Sequence, residues 1–451
     1  MRLDELAGLR VAVWGHGREG RAALAALRLR VPSLVPTLFC TPEEASRIES
    51  GSDLQVVARS PTAADLSAFD VVIKSPGISV YRPELIEARR NGTRFTSGTA
   101  LWFAEHPEAR VIAVTGTKGK STTAALIAHL LRACGRRVAL AGNIGLPLLE
   151  LLDPPRAPDW WVVELSSFQT REAAHVDIAV VTSLAEEHLD WHGDRNRYVE
   201  DKLALAAVAD RLVLGSADTE LLLRTAGHRA RRQVTDAGGW QVGADALLRD
   251  SLPVFELARL PLPGRHNARN ACTALTVAEL AGEDASAATP ALATFQPLPH
   301  RLQRLGERDG IVWIDDSIAT TPAATLEALR SLAGEDVLLL VGGHDRGLDW
   351  SAFAMAVRGH LPRAIIASGA NGFRIAGELR SAGVPGVFED GGLAAAIARA
   401  RGLARSGSTI LLSPGAPSFD QFRDYAARGA AFAAAAGFDP ALGRIAGLGI
   451  A

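Results

Sequence analysis

Cysteine is scarce in this chain of 451 residues, and Cys40, Cys134 and Cys272 stand far apart. That spacing builds neither a disulfide framework nor a cysteine metal pair, so the three thiols read as small buried hydrophobes. An excess of one charge is also missing. Forty-eight Lys and Arg face 50 Asp and Glu, a formal charge of −2, which leaves no basic field for nucleic acid and no acidic excess of the kind that keeps chains disordered. No run approaches the ~18 consecutive apolar residues of a membrane span, and the opening MRLDELAGLRVAVWG has no apolar core ahead of a small-residue cleavage site. These absences predict a cytoplasmic protein with neither membrane nor nucleic acid as partner, and a monomer is expected. There is no fixed-period repeat or low-complexity tract, so the many Ala and Arg residues read as composition bias.

Apolar residues are plentiful, at 48%. At about 150 residues per domain the length predicts roughly three compact units. Short Val- and Ile-rich runs alternate with longer Ala/Leu/Arg segments of helical period, the pattern of βα units around parallel sheets, and the fold class is α/β. A first block, residues 1–106, carries the strands LRVAVWG and FDVVIKSPG and the helices REGRAALAALRLR and RPELIEARRNG. A second, 107–298, opens with the strand ARVIAVTG, continues as the helix STTAALIAHLLRACG, and adds the strands DWWVVELSS and HVDIAVVTS. Within it, Thr235 to Gly243 reads as a polar surface excursion. FQPLPHRLQ, with two prolines, reads as a linker into a third block, 299–451, with the strands GIVWIDDS, DVLLLVGG, RAIIASG and STILLSPG.

The strongest chemical signal is VIAVTGTKGKSTT, residues 111–123. A buried strand runs into Gly116, Thr117, Lys118, Gly119, Lys120, Ser121 and Thr122, and a helix starts at once. Glycines let backbone N–H groups turn toward phosphate oxygens, the helix N-terminus adds its positive end, and Lys120 supplies a cation. Ser121 is a fit ligand for Mg²⁺. Against the usual G-x-x-x-x-G-K-[ST] spacing the loop is shortened, because Val114 stands where the first glycine belongs. A second cluster, Gly15, Gly17 and Gly20, matches G-x-G-x-x-G after a strand. The acidic residue that a dinucleotide site needs about twenty positions on is missing from LVPTLFCTP. The cluster therefore suits another diphosphate, or tight packing of helix on strand.

Taken in order, GTKGKSTT, AGNIG, ELSSFQ, EEHLDWHG, YVEDKLAL, PGRHNARNA, LPHR, the DDS motif, GGHDRG and LSPGAPSFDQF resemble the Mur ligases over nearly the whole chain. SSFQ and SFDQF are most similar to the members that add glutamate to UDP-N-acetylmuramoyl-L-alanine in bacterial cell-wall synthesis. The resemblance implies an N-terminal Rossmann-like domain for the uridine diphosphate, a central P-loop ATPase-like domain, and a C-terminal Rossmann-like domain for glutamate. It implies ATP and two Mg²⁺ ions, because a carboxylate is a poor electrophile and must first become an acyl phosphate, a transfer between anions that demands cations.

Residue roles follow from the same resemblance. Ser121 and Glu164 would hold the first ion, although Glu164 alone could equally be a solvated strand-end charge. His188 would hold the second ion, although on its own it reads as a surface histidine. Lys202 alone reads as an exposed helical lysine; by resemblance it is carbamylated, which turns a cation into an anionic metal ligand. Lys120, His188 and Lys202 form the implied catalytic set. Gly17, Arg18, Ser75, Pro76, Gly77, Asn143, Ser166, Ser167 and Gln169 would contact the UDP-linked acceptor. Asn267, Asn270, Arg301 and Asp316 would contact ATP, while the bare Asn pair reads as helix capping.

The third block departs from the family pattern. Where DSKAT is usual among the glutamate-adding members, this chain has Asp316, Ser317, Ile318, Ala319 and Thr320, so a lysine is gone. Phe419 follows Ser418 where leucine is usual, and Tyr425 replaces phenylalanine. Arg346 in GGHDRG remains a fit partner for a substrate carboxylate, and Thr320, Arg346, Ser418, Phe419 and Tyr425 make the expected glutamate pocket. Removing one fixed cation disfavours the usual D-glutamate pose, and the resemblance extends to a branch that adds L-glutamate. L-Glutamate is favoured, with D-glutamate the alternative. The rival classes are folylpolyglutamate synthase, which lacks an N-terminal UDP-binding domain, a P-loop kinase or switch, and a non-catalytic UDP-sugar module.

Overall fold

A computed structural model describes the chain except at residues 49, 50, 52, 186–188, 216–218, 234–238, 263, 360, 441–444 and 446, and the side chains of 232 and 233. The chain forms two compact units, residues 1–295 with 447–451, and residues 296–446. Among the described residues no helix is long and apolar enough to cross a membrane.

The first unit holds two parallel sheets. Strands β1 (Val11–Trp14), β2 (Thr37–Phe39), β3 (Gln55–Val57), β4 (Val71–Lys74) and β5 (Arg94–Thr96) lie in the order β3-β2-β1-β4-β5. VAVW and VVIK are buried at every position, as strands covered on both faces must be. Strand order reverses between β1 and β4. Such a switch point opens a crevice at the strands' carboxyl ends, and here the loops from Gly15 and from Ser75 leave it.

The second sheet contains β6 (Val111–Thr115), β7 (Val138–Gly142), β8 (Trp160–Glu164), β9 (Val176–Val181), β10 (Ala209–Leu214) and β11 (Arg231–Gln233), in the order β11-β10-β9-β6-β8-β7. Near the end of the sequence, Gly449–Ile450 pair antiparallel with β7, a return that no local pattern announced. One continuous core runs through both sheets, with Trp102 from the first block against Trp161 of β8 at 4.7 Å between ring centroids. Burying these rings explains why the two sheets form a single unit.

The segment expected as a surface excursion from Thr235 to Gly243 is corrected in part. Residues 234–238 lie outside the described residues, but Trp240–Val242 form β12 of a three-stranded antiparallel sheet with β13 (Ala246–Arg249) and β14 (Leu252–Glu256). Trp240 is buried and its indole N–H donates to Glu279 at 3.0 Å. The β13–β14 turn uses Asp250 and Ser251, both at positive φ, in place of the Asn-Gly signal that marks such hairpins.

The second unit has β15 (Gln303–Arg308), β16 (Ile311–Asp315), β17 (Asp336–Val341), β18 (Ala364–Ser368), β19 (Val387–Asp390) and β20 (Ser408–Leu412), in the order β15-β16-β20-β17-β18-β19. All pairs are parallel except β15 with β16. The four apolar strands match the runs read from sequence. The edge strands β15 (QRLGER) and β19 (VFED) have no fully buried position and only one or two apolar residues each, so no apolar run marked them.

Candidate functional site

The phosphate loop sits between β6 and the helix Lys120–Ala133, whose N-cap is Gly119 in the left-handed region. At Gly116, φ is +138° and an added Cβ would lie 2.0 Å from Thr182 Oγ1; at Gly119 it would lie 2.8 Å from Asn270 Oδ1. Gly116 is required by close approach, with the backbone nitrogens of Thr182 and Ser183 at 2.9 Å, as well as by backbone angle, whereas at Gly119 the φ of +86° is what calls for glycine. Thr117 N donates to Ser183 O at 2.9 Å, Lys118 N to Ser183 Oγ at 2.8 Å, and Thr117 Oγ1 meets Tyr198 OH at 2.7 Å. Lys120 folds back, its Nζ donating to Thr117 O at 3.0 Å. Ser121 is half-buried in the helix's first turn, and Thr122 is buried.

Beside the loop, Glu164 pairs in register with Val114 of β6 and is 1% exposed, which sets aside the solvated strand-end reading. Its Oε1 accepts from Asn143 Nδ2 at 2.7 Å, while Oε2 is buried with no hydrogen-bond partner. An orphan carboxylate oxygen costs free energy unless something cationic meets it, so the residue fits a metal ligand. Among the described residues no three His, Cys, Asp or Glu side chains gather as a metal cluster, and His188 lies outside the described residues. Ser166 donates through N and Oγ to Gln169 Oε1, and Gln169 Nε2 donates to Thr99. Gln169 thus helps to hold the loop. Asn267 and Asn270 lie inside the helix Arg265–Leu280, whose N-cap is Gly264; they are not caps, and Asn270 abuts Gly119.

Lys202 is 2% exposed, so the reading as a solvated lysine is corrected: its helix, Arg195–Ala207, turns that side chain inward. Its Nζ stands 4.9 Å from the centre of the Tyr198 ring. Next to it lies a group missed in the sequence. Buried Asp201 meets His192 Nδ1 at 2.7 Å, Tyr81 OH at 2.9 Å and the guanidinium of Arg171, and His192 Nε2 meets Ser167 Oγ at 3.0 Å. Burial pushes the Asp201 carboxyl up, but the bonds from His192, Arg171 and Tyr81 outweigh it and leave it below its ordinary range.

At the first sheet's switch point, Gly15 has φ +98°, and an added Cβ would lie 2.7 Å from Ser75 Oγ. Gly20 packs on Gly15 O. Gly17 caps the helix Arg18–Arg30, Arg18 donates to Gly145 O at 3.1 Å, and Pro76 O accepts from Trp191 Nε1 at 3.0 Å. Gly77 is exposed. The two loops therefore lie side by side, and each reaches toward the central sheet.

In the second unit, Asp316 is buried and accepts from Leu302 N and Ser413 Oγ, and burial pushes its carboxyl up to about 7. Arg301 carries a buried Nε with no hydrogen-bond partner. Thr320 and Tyr425 are half-buried, Ser418 is buried, Arg346 is exposed, and Phe419, 69% exposed, faces the ring of His344. Buried Arg428 was not foreseen. Its Nε and Nη2 donate to Ser317 Oγ and O, Nη2 also to Ala416 O, and Ser317 Oγ donates to Tyr425 O. It ties the DSIAT segment to the closing motif. Burial lowers its pKa to about 10, which leaves it charged at neutral pH.

A phosphate loop on a parallel sheet, a strand-end carboxylate with an open oxygen, and a switch-point crevice in the same unit define a nucleotide-using α/β enzyme. Residues 114–278 match the Mur ligase middle domain and residues 300–415 the Mur ligase glutamate ligase domain. A curated relative from Xanthomonas euvesicatoria pv. vesicatoria, UDP-N-acetylmuramoyl-L-alanine--L-glutamate ligase, is 49% identical with 100% of both chains covered. UDP-N-acetylmuramate-alanine ligase MurC from Thermotoga maritima has the same fold, with a TM-score of 0.61 at 20% identity over 94% of this chain and 98% of that one. MurF ligase from the same organism, solved in complex with ADP, gives 0.54 at 16% identity over 91% and 92%. This chain belongs to the Mur ligase family.

Proposed function

We propose that this protein is an ATP-dependent ligase that joins the carboxylate of UDP-N-acetylmuramoyl-L-alanine to the amine of L-glutamate in peptidoglycan precursor synthesis. The observation that carries the reading is end-to-end agreement at 49% identity with a relative of that name. In the reaction, an acceptor carboxylate oxygen attacks the γ-phosphorus of ATP and the bond to the β-phosphate oxygen breaks, releasing ADP. The glutamate amine then attacks the acyl carbon, loses a proton, and phosphate leaves. Loop N–H groups and Lys120 offset charge on the transferring group. Thr117, Lys118 and Thr122 shape the loop. Asn267, Asn270, Arg301 and Asp316 are the proposed contacts to ATP. When bound, two Mg²⁺ ions would spread the phosphoryl charge; Ser121 and Glu164 would hold one, and His188 with carbamylated Lys202 the other.

The acceptor is assigned to Gly17, Arg18, Ser75, Pro76, Gly77, Asn143, Ser166 and Gln169, and glutamate to Thr320, Arg346, Ser418, Phe419 and Tyr425. Correspondingly, residues 1–106 are assigned to the acceptor's nucleotide domain, 107–298 to the ATP domain and 299–451, apart from the closing strand that returns to β7, to the glutamate domain. Ile318 supports the L-hand: losing a charge-assisted bond of roughly 1.5–3 kcal/mol weakens the D-glutamate pose about ten- to a hundredfold. The test is ADP release by the purified protein. It should require both UDP-N-acetylmuramoyl-L-alanine and glutamate, whereas ADP release that ignores the amine would point to a kinase or simple ATPase.

A further inference from the structure

The buried group around Asp201 joins three parts of the first unit that the reaction uses separately. From the first sheet, Tyr81, six residues beyond Ser75, donates to both oxygens of Asp201 at 2.9 Å. A parallel link runs from Ser79 Oγ to Trp191 O at 2.6 Å and from Trp191 Nε1 to Pro76 O at 3.0 Å. From the loop after Glu164, Ser167 reaches Asp201 through His192, and Thr170 Oγ1 donates to Asp201 O at 2.5 Å. Asp201 shares one helix with Lys202 and, three residues earlier, with Tyr198, whose hydroxyl meets Thr117 in the phosphate loop at 2.7 Å. Ser167, His192 and Asp201 have the order of an acyl-transfer triad, but all three are buried and Asp201 has further partners, so the arrangement is a brace.

Resting on the reading of the Ser75 turn as an acceptor contact, we propose that Tyr81 and Asp201 are positioning residues that couple the acceptor turn to the phosphate loop. Tyr81 joins the turn after β4 to the helix Arg195–Ala207 with one hydroxyl, and Tyr198 hands the position of the same helix on to Thr117. An acceptor that fixes the turn thereby fixes the helix and the loop, and nucleotide binding tightens. Coupling free energies of this kind correspond to roughly 5- to 150-fold in affinity, act reciprocally, and must be measured as a coupling and not read from proximity.

The test is calorimetric titration of the full chain with a non-hydrolysable ATP analogue and Mg²⁺, with and without saturating UDP-N-acetylmuramoyl-L-alanine. In the parent the acceptor should tighten the nucleotide at least about fivefold. In Tyr81→Phe, which keeps the ring against Trp191, the ratio should fall to within about twofold of unity while the acceptor-free nucleotide affinity stays within about threefold of the parent. Ser79→Ala, which removes the bond that Tyr81 N donates to Ser79 Oγ at 3.2 Å together with one of the two bonds of the parallel link, gives a second reading should Tyr81→Phe fold poorly. Parent-like coupling in a folded variant, or acceptor binding without coupling in the parent, overturns the inference alone. A parent that binds the nucleotide but not the acceptor overturns the proposed function, and this inference with it.

Discussion

Lys120→Ala is expected to lose turnover by about two to three orders of magnitude, the usual effect of removing one preorganised group that offsets transition-state charge, while the protein stays folded. The reason lies in where the side chain sits. Lys120 is half-buried at the head of its helix, its Nζ bonds to the loop carbonyl of Thr117, and the helix is held by Leu126, Ile127, Leu130 and Leu131, all fully buried. Alanine is also the best helix former. Parallel measurement of ADP release and thermal unfolding checks this. Retained activity, or a loss of fold that matches the loss of turnover, would count against a charge-balancing role.

Lys202→Ala should be nearly as damaging, for a different reason. A carbamate forms when the neutral amine attacks CO₂ and releases a proton, and it turns a buried cation into an anion able to hold a metal. If Lys202 carries the proposed carbamate, alanine removes that anion and leaves a small void where a 2% exposed side chain stood. Adding formate or acetate should restore part of the turnover, because a free carboxylate can occupy the space the carbamate leaves. Rescue separates the chemical role from mere packing, which no added acid repairs. An alanine variant as active as the parent would remove the carbamate altogether.

The parts of the site that could be read in the chain are those built from one short segment. The phosphate loop was legible because strand, glycines, lysine and helix start follow one another over residues 111–123, and the parallel sheets were legible because runs such as VAVW are buried on both faces. What escaped is non-local or disguised. Tyr81 and Asp201 are 120 positions apart, and neither neighbourhood has a pattern that points to the other. Lys202 follows Glu200 and Asp201, charges that signal a solvated face, yet the helix turns Asp201 and Lys202 inward. Arg428 sits in an alanine-rich helix where arginine looked like composition bias, and only the fold shows it gripping Ser317. The roles of His188 and of a carbamylated lysine rest on family resemblance, since spacing alone had no way to mark them.

The hand of the glutamate separates this protein from a ligase that uses D-glutamate. Purified protein with ATP, Mg²⁺ and UDP-N-acetylmuramoyl-L-alanine should be given each enantiomer separately, with ADP release and the amide product followed together. The kcat/KM for L-glutamate should exceed that for D-glutamate at least about tenfold, the effect of one lost charge-assisted bond on the D-pose. A kcat/KM for D-glutamate well above that for L-glutamate would contradict this reading.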